Sequence, residues 1–384
     1  MNRFSVAKRF AIAVFVAAAC RPAIGGSPTP SATSIAGDLA PSKEMTVQVH
    51  LPGAPDAVAS SMIAAIGRGV ADAAGIRIET VSAYSIEEGF AVSEQIGITD
   101  IFLATPAAAL VAREAGYDVV MIAGLQRSAG LRLAAPSGKD APIDALASGS
   151  ILVQGRPGDE APLLQYFDEA GVDRRAVAIS FQEPTLSFDP TGFYDSTFSA
   201  ALVTSFDGAA RLQEFLDPVT GIPLGPEASI VVAGADDDTL AKAPGLGIWV
   251  LRSALDDEDS RIAIALAVIA IADGVAFCRD DAQTCAVILE ESYVADRRGV
   301  GLLWSINELN STFWPAPGGA LSIDVVRLQS AIEQAVATGV ITGAPTVEQI
   351  TDPQILELVE SHLPENLDLT GENWVPLQVS LFGE

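Results

Sequence analysis

The chain has 384 residues, with 22 Lys+Arg against 49 Asp+Glu and a formal net charge of −27 at pH 7. So acidic a balance argues against nucleic acid as a partner, because such binding rests on neutralising phosphates, and it sets neither the fold nor the ligand. With 2 His and 3 Cys and no C-x-x-C, H-E-x-x-H, G-x-S-x-G or P-loop pattern, the common metal, hydrolase and nucleotide motifs are missing, which favours binding over catalysis and no cofactor or metal.

At the N-terminus Arg3, Lys8 and Arg9 precede an apolar run from Phe10 to Ala19. The run is too short to span a bilayer, and residues 1–19 read as a signal peptide. It ends in Ala17-Ala18-Ala19-Cys20, small residues before a cysteine of the kind a lipoprotein signal peptidase accepts. Cys20 is then the lipidated N-terminus, holding the protein to the outer side of the cell membrane. A plain secretory cut is the alternative, since Ala17 stands where a leucine is usual. Residues 20–44, with Pro22, Gly25, Gly26, Ser27 and Pro28, cannot bury enough apolar surface to fold and read as a tether.

About 340 residues follow, which at roughly 100–200 per domain gives two domains. Hydrophobic periodicity predicts strands at Thr46–Leu51, Ile76–Thr80 and Ile101–Ala104, with a helix at Ala57–Ala74 between the first two. A helix at Pro106–Gly116 and strands at Val119–Leu125 and Leu131–Ala135 come next. Ser150–Gln154 opens a second series: a helix from about Asp159, strands at Ala176–Ser180 and Ser199–Thr204, and a helix from Phe206. The alternation is that of doubly wound parallel α/β sheets. Gly247–Leu251 returns the chain to the first sheet, and from Leu255 it is helical. The expected organisation is lobe 1 at 45–132, lobe 2 at 133–244, and a return to lobe 1 with C-terminal helices at 245–384.

The most apolar late segment, Ile262–Phe277, is short and broken by Asp273 and Gly274, so it reads as a buried core helix. After it come Cys278 and Cys285, which outside the cytoplasm are expected to form a disulfide joining one helix to the next. Two separately buried thiols are the alternative, and no histidine lies nearby for a metal.

The segments Gln154–Glu160, Thr204–Asp207, Cys278–Cys285 and Trp304–Pro315, in this order across two α/β lobes, resemble the periplasmic-binding-protein fold (type II-like) of ABC importers. Within it they are similar to the solute-binding branch related to thiamine-pyrimidine synthases, which includes riboflavin and thiamine-precursor binders. The resemblance spans roughly Thr46 to Thr351, and the Trp304–Pro315 stretch is its most specific piece. It implies a non-enzymatic binding protein that delivers a flat N-heteroaromatic to ABC permease and ATPase subunits. An aliphatic sulfonate, nitrate or taurine-like anion is the alternative ligand, as in sister branches. An enzyme or a sensor on the same fold is the alternative role, though the related enzymes' cysteine-rich catalytic signature has no counterpart here. Where the family often places aromatic residues after its first strand, this chain has Pro52–Val58.

Topology selects the ligand-binding candidates, because strand ends and helix N-termini face the cleft of a doubly wound sheet. In lobe 1 these are Phe102, Thr105 and Gln126, with Arg127 beside it. In lobe 2 they are Gln154, Arg156, Glu160, Thr204, Phe206 and Asp207. Trp304 and Asn307, three apart on one helical face, add an indole for stacking and an amide for hydrogen bonding. Core packing is the rival role for Trp304 and Trp314, helix capping for Glu160 and Asp207, and a surface position for Arg127 and Arg156.

Overall fold

The computed structural model describes residues 39–382, apart from 53–56, 74, 83–97, 137–142, 144–145, 147, 183–187, 234–238 and 293–297. The expected signal peptide, Cys20 and most of the tether lie outside the described residues. Among the described residues ten strands run in chain order: β1 Met45–Leu51, β2 Ile76–Ser82, β3 Ile98–Ala104, β4 Val119–Gly124, β5 Leu131–Pro136, β6 Ser150–Gln154, β7 Ala178–Gln182, β8 Ala200–Thr204, β9 Ser229–Ala233 and β10 Gly247–Leu251. The longer helices are α1 Ser60–Gly67, α2 Pro106–Glu114, α3 Ala161–Glu169, α4 Gly208–Glu214, α5 Glu258–Asp280, α6 Ala282–Ser292, α7 Gly299–Phe313, α8 Val325–Thr338 and α9 Pro353–Glu360.

The strands form two five-stranded sheets, ordered β2-β1-β3-β10-β4 and β7-β6-β8-β5-β9. Each is mixed rather than wholly parallel, because β10 runs antiparallel to β3 and β4, and β5 antiparallel to β8 and β9. The antiparallel strand in each sheet is the one that arrives from the other lobe. The chain therefore crosses between lobes twice, after β4 and before β10. The two crossovers are paired by hydrogen bonds from Leu125 N and Gln126 N to Leu246 O (3.1 and 2.9 Å) and from Ala129 N to Ala243 O (2.9 Å). Residues Arg127 and Ser128 also donate their backbone N–H groups to Thr312 O at the end of α7.

The helix expected over Ala57–Ala74 is broken into a turn at Ala57–Ala59, α1 and a short helix at Val70–Ala73. Gly69, at φ 71°, takes the left-handed conformation that ends the first segment. The edge strand β9 escaped the sequence reading; it is five residues long and followed by an acidic run, so it carries little periodic signal.

The core of lobe 1 is built on α5. Asp257 caps it by accepting from Ser260 N (2.8 Å), Glu258 and Asp259 sit in its first turn and Arg279 in its last, all matching the helix dipole. Between these ends every residue from Ala263 to Ala276 is buried, so this long apolar helix is a core element. Its one charged core residue, Asp273, is ion-paired with Arg68, whose guanidinium also lies 4.5 Å over the Phe277 ring. Burial pushes the Asp273 carboxyl up, against the opposing pull of Arg68. Cys278 and Cys285 form a disulfide that ties the end of α5 to α6.

Candidate functional site

The C-terminal ends of β1, β3, β4, β6 and β8 and the N-termini of α2, α3 and α4 meet at the seam between the lobes, around a cavity of about 190 Å³. This is the switch point at which open α/β sheets hold ligands, here built from the strand ends of two sheets. Eight residues expected at the cleft line it: Phe102, Thr105, Gln126, Gln154, Arg156, Thr204, Phe206 and Asp207. The second crossover, Ala243–Leu246, closes one side.

In lobe 1, Thr105 is the N-cap of α2; its hydroxyl accepts from Ala108 N (3.3 Å) and donates across the seam to Asp159 Oδ1 (3.3 Å). Gln126 Oε1 accepts from Leu246 N (3.1 Å), which fixes the amide so that Nε2 is the remaining donor. Phe102 stacks on His50, with ring centroids 4.4 Å apart and planes at 14°. In lobe 2, Gln154 Nε2 donates to Asp207 Oδ2 (2.5 Å), and Arg211 Nε donates to Asp207 Oδ1 (2.8 Å). Both oxygens of Asp207 are thus held by lobe 2 itself. Arg156 reaches back to lobe 1, where its Nη2 approaches Pro52 O (3.5 Å).

Two carboxylates crowd the start of α3. Asp159 Oδ2 accepts from Arg156 N (2.9 Å) and Glu160 Oε2 from Gly158 N (2.5 Å). Burial pushes both carboxyls up, and for Glu160 the nearby Asp159 adds to the effect. Glu160 turns back on its own loop and does not line the cavity.

Trp304 and Asn307 are not in the cleft. Asn307 Nδ2 donates to Leu377 O (3.1 Å) and its Oδ1 accepts from Leu377 N (2.7 Å), so the amide fastens the C-terminal segment to α7. Trp304 is half-buried on the same helix. Trp314 is 1% exposed beneath the Arg279 guanidinium. Arg127 is exposed and lines an adjoining cavity of about 130 Å³, which shares Pro106, Gln126 and Pro244–Leu246 with the first.

The sequence reading missed His50, Asp159 and Gly245 at the cleft. His50 was within reach, since it stands near the end of the expected first strand, the position that selected Phe102 and Gln154. Three polar side-chain atoms at this cavity are buried with no partner among the described residues: His50 Nδ1, Gln126 Nε2 and Thr204 Oγ1. Native proteins rarely leave such groups unpaired, and here they come from both lobes. Among the described residues no three His, Cys, Asp or Glu side chains converge as a metal site.

No family model matches the sequence, and no curated protein matches it. Solved structures do. The alkanesulfonate-binding protein SsuA from Xanthomonas axonopodis pv. citri, bound to MOPS, is similar over 82% of this chain and 99% of its own, at 12% identity and a TM-score of 0.60. The ligand-binding component of an ABC-type import system from Staphylococcus aureus, with zinc bound, matches over 82% and 98%, at 12% identity and 0.58. The periplasmic nitrate-binding protein NrtA from Synechocystis PCC 6803 matches over 85% and 92%, at 10% identity and 0.57. The chain has the fold of these two-lobed periplasmic binding proteins.

Proposed function

We propose that this chain is the extracytoplasmic solute-binding component of an ABC-type import system, and that its solute is a small, flat N-heteroaromatic held between the lobes. The observation that carries this reading is that both lobes line one largely apolar cavity, with an unpartnered polar atom on each of its lining residues His50, Gln126 and Thr204 and with the stacked His50 and Phe102 rings beside them. Ligand contacts on both lobes favour the arrangement in which they meet, and a membrane partner that recognises it receives loaded protein preferentially. ATP hydrolysis belongs to a partner subunit.

A sulfonate or nitrate ligand is the second reading, favoured by Arg156 at the cavity and by the helix N-termini, which attract anions. Against it, the chain's own Asp159 and Asp207, which line the cavity, already stand at two of those N-termini. An added anion would meet like charge there. Titrating the full chain with a hydroxymethylpyrimidine, riboflavin, methanesulfonate and nitrate, followed by tryptophan fluorescence, tests the choice. Micromolar or tighter response to a ring compound is expected; tight binding of an anion with no response to either ring overturns the ligand class.

The membrane attachment belongs to the same proposal, with Cys20 as the acylated N-terminus. A Cys20→Ser chain is expected to leave the membrane fraction for the soluble one, and its continued full partition into the membrane removes the anchor from the proposal.

A further inference from the structure

We infer that His50 sets the specificity of the cleft, presenting a fixed hydrogen-bond acceptor that selects ligands bearing an N–H or O–H donor over anions that only accept; this rests on the cleft being the solute site. His50 is 3% exposed near the end of β1, opposite Phe102 in the parallel pairing with β3. The stack on Phe102 fixes the plane of the imidazole. Its Nε2 lies 2.6 Å from Asp100 Oδ1, a buried carboxylate on the neighbouring strand. A carboxylate only accepts, so Nε2 carries the hydrogen and Nδ1 of the neutral ring is left as a lone pair. That Nδ1 is buried with no partner among the described residues.

Gln126 supplies the complement. With Oε1 occupied by Leu246 N, its Nε2 is a donor, also buried and unpartnered. Thr204 Oγ1, from lobe 2, can donate or accept. The cavity thus shows one acceptor, one donor and one hydroxyl. A ring edge with an N–H beside a carbonyl or ring nitrogen, as in a lactam, an imide or an amino-azine, satisfies all three. A sulfonate or nitrate carries acceptors alone and would set an oxygen against the Nδ1 lone pair. Sites built to hydrogen-bond a particular group reject analogues lacking it, because the buried partner is then left unpaired.

The test needs no variant at first. The full chain is titrated calorimetrically with two pairs that differ by N-methylation: 4-amino-2,5-dimethylpyrimidine against its 4-dimethylamino counterpart, and lumiflavin against 3-methyllumiflavin. Methanesulfonate and nitrate serve as acceptor-only probes. In at least one pair the donor-bearing member is expected to bind about 10- to 100-fold more tightly than its methylated partner. The double variant His50→Phe/Asp100→Asn keeps a stacked ring and leaves no buried carboxylate unpaired, and in it the ratio is expected to fall to near one. Equal affinities within each pair overturn the inference while leaving the solute site intact, and so does anion binding that the double variant abolishes. Binding of none of the six probes, with no co-purified small molecule in native mass spectrometry, instead fails the solute-site reading and takes the inference with it.

Discussion

Helix α7 with the turn after it, and the strand ends around the cleft, both carry buried amides and aromatic rings, and the two regions use them in opposite ways. Along α7 the amides are consumed internally: Asn307 holds Leu377 through both its amide atoms, and Asn310 Nδ2 donates to Cys278 O (2.9 Å). The Trp314 ring lies 4.6 Å under the Arg279 guanidinium and is backed by Gly371, which at φ 58° fits against it where a side chain would clash. Around the cleft the amide of Gln126, the hydroxyl of Thr204 and the ring of His50 each keep one atom unmatched. Trp314 Nε1 is also unpartnered, but Trp314 does not line the cavity, whereas His50, Gln126 and Thr204 do. Residue type alone does not separate an architectural amide from a recognition amide; where its hydrogen bonds end does.

The largest expected effect tests the architectural half of that contrast. Trp314→Ala removes a fully enclosed indole and should cost about 3–5 kcal/mol of folding stability, seen as a lower denaturation midpoint. The ligand affinity of the remaining folded protein should change by less than about twofold, since the ring does not line the cavity. Trp304→Ala, within α7 and half-buried, should cost about 1 kcal/mol and also spare affinity. A loss of binding on Trp304→Ala at an unchanged midpoint would break the comparison and return α7 to the site.

The same contrast explains what was legible in the sequence. Most strand positions were, β9 excepted: β6 and β10 are short apolar runs bounded by turn residues, and both fall at the boundaries their periodicity predicts. The cleft residues followed from them, since a strand end before a helix start is a position in a topology. The sheet order was not legible, because periodicity assigns a face to each side chain but no neighbour to each strand, and so the antiparallel β5 and β10 passed for parallel ones. Trp304–Pro315 stood out for its composition, and composition says nothing of whether an amide meets a ligand or the backbone of Leu377. His50 could have been selected by its place near a strand end, but its pairing with Asp100 and Phe102 on β3 was not legible, because only the paired sheet brings them to it.

The smallest expected effect probes the recognition half, at the seam itself. Asp159 Oδ1 accepts from Thr105 of lobe 1 and Oδ2 from Arg156 N of lobe 2, so this carboxyl is enclosed where the lobes meet. Burial pushes it up from the ordinary 3.8, and the two hydrogen bonds and the Arg156 charge offset this only in part. A carboxyl raised in the folded state is protonated there at a pH where the unfolded chain has already lost its proton. Its contribution to stability is therefore complete below about pH 4 and lost as pH rises through the folded value. Asp159→Asn keeps the shape without the ionisation, so it should flatten that part of the pH profile and raise the neutral-pH melting temperature by about 1–3 °C. Thermal melts of both proteins across pH 4–8 measure the difference. If Asp159→Asn melts lower at neutral pH, the carboxylate is held as the charged partner of Arg156, and the seam resembles the internally satisfied α7 region rather than the open-handed cleft.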